Sequence, residues 1–340
     1  MISDLAFRLA QWHLAHGRHD LPWQYQGPYA TWISEVMLQQ TQVATVIPYY
    51  QRFMDRFPTP DALADAPVDE VLSHWAGLGY YARARNLHHA AKQVQHEFAG
   101  ELPDTLDALM SLKGIGRSTA GAILSLGFEK YGVIQDGNVR RVLARLFAIS
   151  GDLTSASAQK SLWALATDLT PKKGNEAAIH TQAMMDLGAL VCTKSKPSCD
   201  RCPLVSDCRA HQQEIVHRIP EPKTRKIKPT REWVVLQLVN SANETFVMKR
   251  PSKGIWGGLY APPISESLSA LAKELGLDLA EVEELCELRH AFSHFSVNLQ
   301  LHRLTNLSNE PRVSGQWVDL RTFEGGLPAP IYRLLQENMT

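Results

Sequence analysis

Four cysteines lie close together in a chain that is otherwise poor in cysteine. Six, two and five residues separate them, and the 340 residues contain only one further cysteine, Cys286. The four are Cys192, Cys199, Cys202 and Cys208. Four thiolates on one short loop can share a single metal centre. This part of the chain is therefore expected to fold tightly around its sulfur atoms.

Three kinds of site are compatible with this cysteine spacing. An iron–sulfur cluster is favoured because no His lies among the cysteines and the loop is rich in Lys and Pro. A four-thiolate zinc site is the main rival, but only Cys199 and Cys202 form the CxxC pair that zinc sites usually contain twice. A pair of disulfides is the third, and no secretory signal supports it. The spacing favours a cluster and leaves zinc open.

Charge and hydropathy limit how this protein could bind nucleic acid or a membrane. Lys and Arg number 35, as do Asp and Glu, so the formal charge is zero. Any binding of nucleic acid would have to use a local basic patch. No apolar run reaches the length needed to cross a membrane, and residues 1–20 have the pattern of an amphipathic helix. We expect a protein of the cytoplasm that does not associate with membranes.

The pattern of apolar residues divides the chain into a helical part and a part that mixes helices and strands. The first two hundred or so residues show helical periodicity with short loops. Helices are predicted to begin near Ser3, Tyr29, Val68, Tyr81, Asp104, Arg117, Asn138, Ser157 and Thr181. We predict a helical domain over residues 1–215 and an α+β domain over residues 232–340, with a connector over residues 216–231 that contains the stretch IPEPKTRKIKPTR.

The mixed part has its own local signals. Residues 233–239 and 245–250 alternate or run apolar in the manner of strands, and residues 267–277 have the pattern of a helix.

A glycine hairpin is the second strong motif. Residues 112–125 begin LKGIGRSTAGAI, in which Gly114 and Gly116 stand between two predicted helices. Backbone amides at such a turn can bind a phosphate, and glycine lets a DNA backbone approach closely without reading its sequence. A plain helix–turn–helix corner is the alternative.

An aspartate follows the hairpin at a fixed interval. Asp136 lies twenty residues after Gly116 and ends an apolar stretch, while Asn138 is well placed to cap the helix behind it. Taken alone, an Asp-Gly pair is more typical of a turn than of a catalytic site.

Together, the hairpin, the aspartate and the cysteine loop resemble the helix-hairpin-helix superfamily of DNA glycosylases that carry a 4Fe-4S cluster. Residues 32–43 (WISEVMLQQTQV), 77–86 (GLGYYARARN) and 182–189 (QAMMDLGA) resemble the signatures of its adenine DNA glycosylase (MutY) family nearly residue for residue. The resemblance implies a mainly α helical domain with a six-helix module and a 4Fe-4S cluster held by the four cysteines of the loop 192–208.

Ser118 separates two activities within that superfamily. It stands where endonuclease III places the lysine that forms a Schiff base with the sugar. Without an amine there, the efficient lyase route is closed. The resemblance therefore implies a monofunctional glycosylase that hydrolyses the N-glycosidic bond and leaves an abasic site. An endonuclease III-like glycosylase and lyase for oxidised pyrimidines is the alternative, and a non-catalytic cluster protein that binds DNA is the third.

Glu35 is the candidate proton donor. Its neighbours on the predicted helix are apolar, so burial should raise the pKa of its carboxyl toward neutrality. By resemblance, Glu35 protonates N7 of an adenine flipped out of the duplex and then activates water. Asp136 stabilises the oxocarbenium-like transition state or forms a transient adduct. Asn138 then hydrogen-bonds near the carboxylates, with capping as the alternative.

The resemblance also assigns residues that contact DNA. Gln39 lies one helical turn after Glu35 and Tyr80 offers a ring beside the orphaned base; both are expected to enter the duplex. Further contacts are expected from Gly114, Gly116 and Ser118 of the hairpin and from Lys194 and Lys196 of the cysteine loop. Arg18 and Gln24 fall where the family shapes its adenine pocket.

The C-terminal domain resembles a Nudix-like fold that lacks the usual glutamates for Mg²⁺, since its helix offers only Glu274. Hydrolysis of a diphosphate there is not expected. The segment HAFSHF instead resembles the loop that inspects the base opposite adenine: Phe292 and His294 are expected to stack, and Ser293 to hydrogen-bond the Hoogsteen face of 8-oxoguanine. The implied partner is duplex DNA with adenine opposite 8-oxoguanine or guanine, bound by a bacterial monomer.

Overall fold

The computed structural model describes residues 2–221, 227–278, 280–305, 307 and 309–338, with only the backbone of residues 2 and 3. The chain forms two compact units. The helical unit contains Met1–Asp65 and His89–Thr224, and the mixed unit contains Ala66–His88 and Arg225–Thr340. Residues 222–226 of the predicted connector lie outside the described residues, and the predicted domain bounds stay a prediction.

Fourteen α-helices are described. They are α1 Ile2–His16, α2 Gly27–Leu38, α3 Val43–Arg56, α4 Pro60–Asp65, α5 Val68–Trp75, α6 Ala82–Glu97, α7 Leu106–Ser111, α8 Arg117–Ala122, α9 Gly137–Leu146, α10 Ala156–Leu169, α11 Gly174–Asp186, α12 Arg209–Gln212, α13 Leu268–Leu275 and α14 Ala329–Gln336. In this described part, no helix is long and apolar enough to cross a membrane.

One apolar core holds together the part of the helical unit that carries the candidate site. Leu9 of α1, Leu143 of α9, Leu162 of α10 and Met184 of α11 are all nearly inaccessible to water in this core. The cysteine loop packs against the same core. Burial of such large side chains contributes about 1.5–3 kcal/mol each, so the loop is held against a stable apolar core.

Some helices start where the sequence did not place them. We expected a start near Thr181, but α11 begins at Gly174. A Cβ on Gly174 would lie 1.7 Å from the carbonyl oxygen of Glu129, so the glycine at the start of α11 permits a close approach of two backbones. The sequence also did not predict α3, which contains Pro48 in its interior.

Two helices end in π-helical turns that lead to the site. α8 continues into Ile123–Gly127, and α11 continues into Leu187–Val191. The second turn delivers Cys192, whose backbone N–H donates to the carbonyl of Leu187 at 2.7 Å. Such turns inside helices are frequent at functional sites.

Strands build the mixed unit as the alternation predicted. The seven strands are β1 Thr230–Leu238, β2 Thr245–Lys249, β3 Tyr260–Ala261, β4 Ile264–Ser265, β5 Glu283–Ala291, β6 Ser296–Leu304 and β7 Gln316–Val318. They form a four-stranded sheet of order β4-β1-β6-β5 and a three-stranded sheet of order β3-β2-β7. β1 pairs in parallel with β6, while β5 and β6 form an antiparallel hairpin. The predicted mixed α and β class is confirmed.

The segment Ala66–His88 is part of this unit although it lies within the predicted helical domain. Lys249 of β2 donates to both carboxyl oxygens of Asp69, at 2.7 and 2.6 Å. Tyr260 donates its hydroxyl to Asp69 at 3.3 Å. α5 and the start of α6 are thereby fastened to the three-stranded sheet.

Candidate active site

Glu35 faces a cavity of about 360 Å³ in the helical unit. The predicted pocket residues Arg18 and Gln24 line the same cavity, as does Gln182 of α11. Cavities of this size accommodate small organic ligands. The structure therefore brings the candidate acid and both residues of the predicted adenine pocket to one place.

Burial changes the acidity of Glu35, as its apolar neighbours indicated. Trp32, Ile33 and Met37 of the same helix are almost completely buried. Burial raises the pKa of Glu35 to about 8, and the negative charge of Asp136 adds to the effect. The expected direction of the pKa shift is confirmed. At neutral pH this carboxyl is mostly protonated and can donate a proton.

Asp136 is the second carboxyl of this pair and caps α9. Its Oδ1 accepts a hydrogen bond from the backbone N–H of Val139 at 2.7 Å. Burial raises the pKa of Asp136, although the N–H groups of Val139 and Asn138 and the charges of Arg141 and Arg140 act in the opposite direction. Asp136 does not itself line the cavity, but its charge is felt at Glu35. The two carboxyls form an electrostatically coupled pair.

Capping by Asn138 was a wrong prediction, because Asp136 takes that position. Asn138 lies in the first turn of α9, and its Oδ1 accepts from Nη2 of Arg141 at 2.8 Å. The same guanidinium donates to the carbonyls of Gly188 and Cys192, at 2.6 and 2.8 Å. Arg141 therefore ties the helix that carries Asp136 to the start of the cysteine loop.

Ser118 is held beside the candidate pair. Its Oγ accepts from the backbone N–H of Gln135, the residue before Asp136, at 2.9 Å. The hydroxyl thus fixes the turn that presents the aspartate.

Asp186 organises one wall of the cavity, and the sequence did not predict this role. Its buried carboxylate accepts from Nε of Arg18 at 2.7 Å and from Nε2 of Gln182 at 3.1 Å. Nδ1 of His13 lies 3.2 Å away. Burial alone would raise the pKa of Asp186, but the hydrogen bonds of His13 and Arg18 outweigh it and hold the pKa below its usual value.

Gln24 fixes the loop that follows Arg18. Its Nε2 donates to the carbonyl of Arg18 at 2.8 Å, and its Oε1 accepts from the N–H of Leu21 at 3.0 Å. Gln24 is therefore both a lining residue and a brace of the wall.

The four cysteines line one small cavity of about 30 Å³ together with Arg145. Arg145 is 1% exposed, and its Nη1 lies 3.3 Å from Sγ of Cys192 and 2.7 Å from the carbonyl of Thr193. Over the described ranges, no three His, Cys, Asp or Glu side chains converge on a point that would hold one metal ion. The sulfur atoms surround a shared space, and a buried cation stands beside it.

The predicted DNA contacts of the helical unit lie on exposed or turn positions. Gly114 has a φ of +86°, which an L side chain rarely adopts, and a Cβ on Gly116 would meet no heavy atom within 4 Å. Lys194 and Lys196 are exposed. Gln39 follows the last residue of α2 with a ψ of 111°, so it belongs to the loop and not to the helical face of Glu35.

A second cavity, of about 390 Å³, lies in the mixed unit. Its lining includes Tyr80 and all three residues of the predicted reading loop, Phe292, Ser293 and His294. Tyr80 is 45% exposed and has a φ of +51°, a strained backbone of the kind found at functional sites.

The reading loop joins β5 to β6. Phe292 stacks on Phe295 with ring centroids 4.6 Å apart, while Ser293 and His294 are exposed. Two sequence-distant motifs therefore share one cavity.

Two family models match this chain. The family model described as HhH-GPD superfamily base excision DNA repair protein matches residues 33–167. The NUDIX domain model matches residues 234–337. A solved thermostable thymine-DNA glycosylase aligns over 62% of this chain and 95% of its own, with a TM-score of 0.54 and 26% identity.

Curated relatives extend over nearly the full length. An adenine DNA glycosylase of Buchnera aphidicola subsp. Baizongia pistaciae is 38% identical over 96% of this chain and 94% of its own length. An adenine DNA glycosylase of Rattus norvegicus is 35% identical over 99% of this chain and 79% of its own length. With these relatives and both of its domain models matched, the chain belongs to the adenine DNA glycosylase family of base-excision repair proteins.

Proposed function

We propose that the chain hydrolyses the N-glycosidic bond of adenine paired with 8-oxoguanine or guanine in duplex DNA. The observation that carries this proposal is the coupled pair of Glu35 and Asp136, in which burial raises the pKa of Glu35 to about 8. Adenine is a poor leaving group until a ring nitrogen is protonated, and a proton donor that stays neutral at pH 7 meets this need.

In the proposed mechanism the adenine leaves the base stack and enters the cavity of the helical unit. The carboxyl of Glu35 gives its proton to N7, and the C1′–N9 bond breaks with its electron pair going to the purine. Asp136 carries negative charge beside the developing oxocarbenium ion. Glu35, now a carboxylate, takes a proton from the attacking water, and the products are free adenine and an abasic site.

The cavity walls position the purine. Arg18 and Gln182 are held by Asp186, and Gln24 braces the loop between Arg18 and Leu21. Because these hydrogen bonds are made between groups of the protein itself, the wall is preorganised and little order has to be created on binding.

We propose further that Cys192, Cys199, Cys202 and Cys208 hold a 4Fe-4S cluster. Support comes from their shared cavity and from the buried guanidinium of Arg145, which balances negative charge at Cys192. The bound cluster supplies a covalent cross-link of the loop. Arg145 also donates to the carbonyls of Thr193 and Lys194, at 2.7 and 3.0 Å, so the loop presents Lys194 and Lys196 in one conformation for phosphate contacts.

Iron and sulfide analysis tests the cluster. Purified protein should contain four iron and four inorganic sulfide per chain, and Cys202→Ser should lose both. Cys286→Ser, which changes the one cysteine outside the loop, should keep the full content. One zinc per chain without sulfide would contradict the proposal.

The second cavity is proposed to read the base opposite adenine. Tyr80 stands beside the orphaned base, Phe292 and His294 flank it, and Ser293 hydrogen-bonds its Hoogsteen face. The hairpin with Gly114 and Gly116, together with Gln39, holds the duplex while the base is flipped. We propose that the protein acts as a monomer.

An endonuclease III-like lyase is the less supported function. It requires an amine at position 118, whereas the hydroxyl of Ser118 accepts from Gln135 and cannot form a Schiff base.

Two substrates separate these functions. Duplexes with adenine opposite 8-oxoguanine and duplexes with thymine glycol are incubated with the protein, with and without alkali. We expect strand breaks only at the adenine and only after alkali. Breaks at thymine glycol without alkali would contradict the proposal.

A further inference from the structure

Arg85, near the start of α6, lines the cavity of the mixed unit, where the sequence assigned it no role. It is half-buried, and its Nη1 donates to the carbonyl of Gly257 across the cavity wall at 2.6 Å. This single hydrogen bond uses one of the five N–H groups of the guanidinium. The hydrogen bond to Gly257 fixes the position of the other N–H groups of the Arg85 guanidinium.

The charge of Arg85 is not balanced by any carboxylate in the described part of the chain. No carboxylate of the described residues pairs with it, and none of the residues that line the cavity is acidic. Burial lowers the pKa of Arg85, but a guanidinium stays protonated in proteins. A cation placed in a partly dry cavity without a counter-ion favours the binding of an anion there.

Two glycines in the lining of this cavity leave open space beside the backbone. Gly79 and Gly254 have φ values of +71° and +97°, and a Cβ on either would meet no heavy atom within 4 Å. Such glycine positions leave room for a sugar-phosphate chain. Aromatic rings of Tyr80 and Phe292 occupy another part of the lining, which suits a base attached to that chain.

We propose that Arg85 binds a phosphodiester of the DNA strand opposite the adenine, next to the nucleotide whose base faces Tyr80 and the 292–294 loop. This inference rests on the proposed function and deepens it by naming a cationic contact for the inspected strand. Arg85 would anchor that nucleotide, while the loop reads its base. A phosphate contact strengthens binding without distinguishing one base from another.

Neutral phosphate analogues test the contact directly. Duplexes carry an uncleavable adenine analogue opposite 8-oxoguanine, and each linkage flanking the 8-oxoguanine is replaced in turn by a methylphosphonate. One replacement should weaken binding by wild-type protein about 10-fold. Arg85→Met should weaken binding of the native duplex by a similar factor and should lose nothing more with that methylphosphonate. Arg85→Lys should retain part of the affinity.

Several results would overturn the proposal. If Arg85→Met and the methylphosphonate weaken binding additively, Arg85 does not contact that phosphate. If neither flanking methylphosphonate weakens binding by the wild-type protein, the phosphate contact is excluded by that result alone. A loss on duplexes with 8-oxoguanine but none on duplexes with guanine would make Arg85 a reader of the base. Equal losses on both support the phosphate contact.

Lys249→Met is the matched control. It removes a cation that fastens the same segment through Asp69 but does not line the cavity. If Lys249→Met weakens duplex binding as much as Arg85→Met does and also removes the effect of the methylphosphonate, Arg85 acts by holding the segment and the proposal fails. The proposed function is judged separately, by adenine release from an unmodified duplex.

Discussion

The two cavities have similar volumes, about 360 and about 390 Å³, but differ in their acidic groups. The cavity of the helical unit contains a carboxyl whose pKa burial raises to about 8, coupled to a second carboxyl. No acid lines the cavity of the mixed unit, which contains Arg85, exposed hydroxyl and imidazole groups and several aromatic rings.

This difference in acidic groups suits one cavity to proton transfer and the other to the recognition of nucleotides. A buried acid whose charged form is disfavoured can move a proton at neutral pH. A cavity of aromatic rings, polar side chains and a guanidinium can hold and compare nucleotides, but its lining lacks the carboxyl pair that cleavage of a glycosidic bond uses. We infer that the chain separates cleavage from inspection and places them in different units.

Removing the acid of the first cavity should have the largest effect. Glu35→Gln keeps the shape of the side chain but cannot donate the proton, so single-turnover adenine release should fall at least about 10³-fold. Binding of the duplex should survive. Glu101→Gln, which changes an exposed glutamate of the same unit, is the control and should keep full activity. Release retained by Glu35→Gln would exclude the acid role.

Loosening the wall of the first cavity should have the next largest effect. Asp186→Asn leaves Arg18 without its charge partner and places an amide donor against other donors. We expect a loss of about 2–4 kcal/mol in the free energy of unfolding and adenine release slower by about 10–100-fold.

Urea unfolding and single-turnover kinetics measure the two losses. The matched control is Asp168→Asn, at an exposed position of α10. An Asp186→Asn variant as stable and as fast as that control would show that the wall does not depend on this carboxylate.

Changing the second cavity should alter selectivity more than rate. Ser293→Ala combined with His294→Ala removes two exposed polar groups from the reading loop. The preference for 8-oxoguanine over guanine should fall about 10-fold, while adenine release opposite guanine changes little. Ser314→Ala, at an exposed position outside the cavity lining, is the control. Equal losses on both substrates would remove the distinction between the two cavities.

The last effect is on stability, not on activity, and depends on pH. The folded-state pKa of Glu35 is about 8, above its ordinary value of 4.5. Ionisation therefore disfavours the folded state: the penalty is absent below pH 4.5, grows between the two values and is complete above about pH 8. One pKa unit corresponds to about 1.4 kcal/mol, so Glu35→Gln, which removes the penalty, should be more stable than wild type by on the order of 4–5 kcal/mol at pH 8.5.

At pH 4 the two proteins should unfold at the same urea concentration. A difference that stays constant from pH 4 to pH 8.5 would mean that the carboxyl is not desolvated.

Local sequence patterns predicted part of this arrangement. The apolar neighbours of Glu35 indicated burial and hence the direction of its pKa, and the alternating pattern indicated the strands β1 and β2. The family signatures placed Tyr80 and the 292–294 loop in one function, and the structure brings them to one cavity.

Other features depend on contacts between distant residues. Asp136 competes with Asn138 as the cap of α9, and only the geometry of the turn shows that Asp136 accepts from Val139. Asp186 lies in an apolar helix 168 residues from Arg18, so no local pattern pairs them. The attachment of Ala66–His88 to the mixed unit rests on similar long-range contacts, such as that between Asp69 and Lys249.

The central claim is that the carboxyl of Glu35 remains protonated at neutral pH because it is buried beside Asp136. Infrared difference spectroscopy between wild type and Glu35→Gln, recorded as a function of pH, follows this protonated carboxyl directly. The account predicts a band that disappears with a midpoint near pH 8 and at a lower pH in Asp136→Asn. A midpoint near 4.5, unchanged by the loss of Asp136, would contradict it.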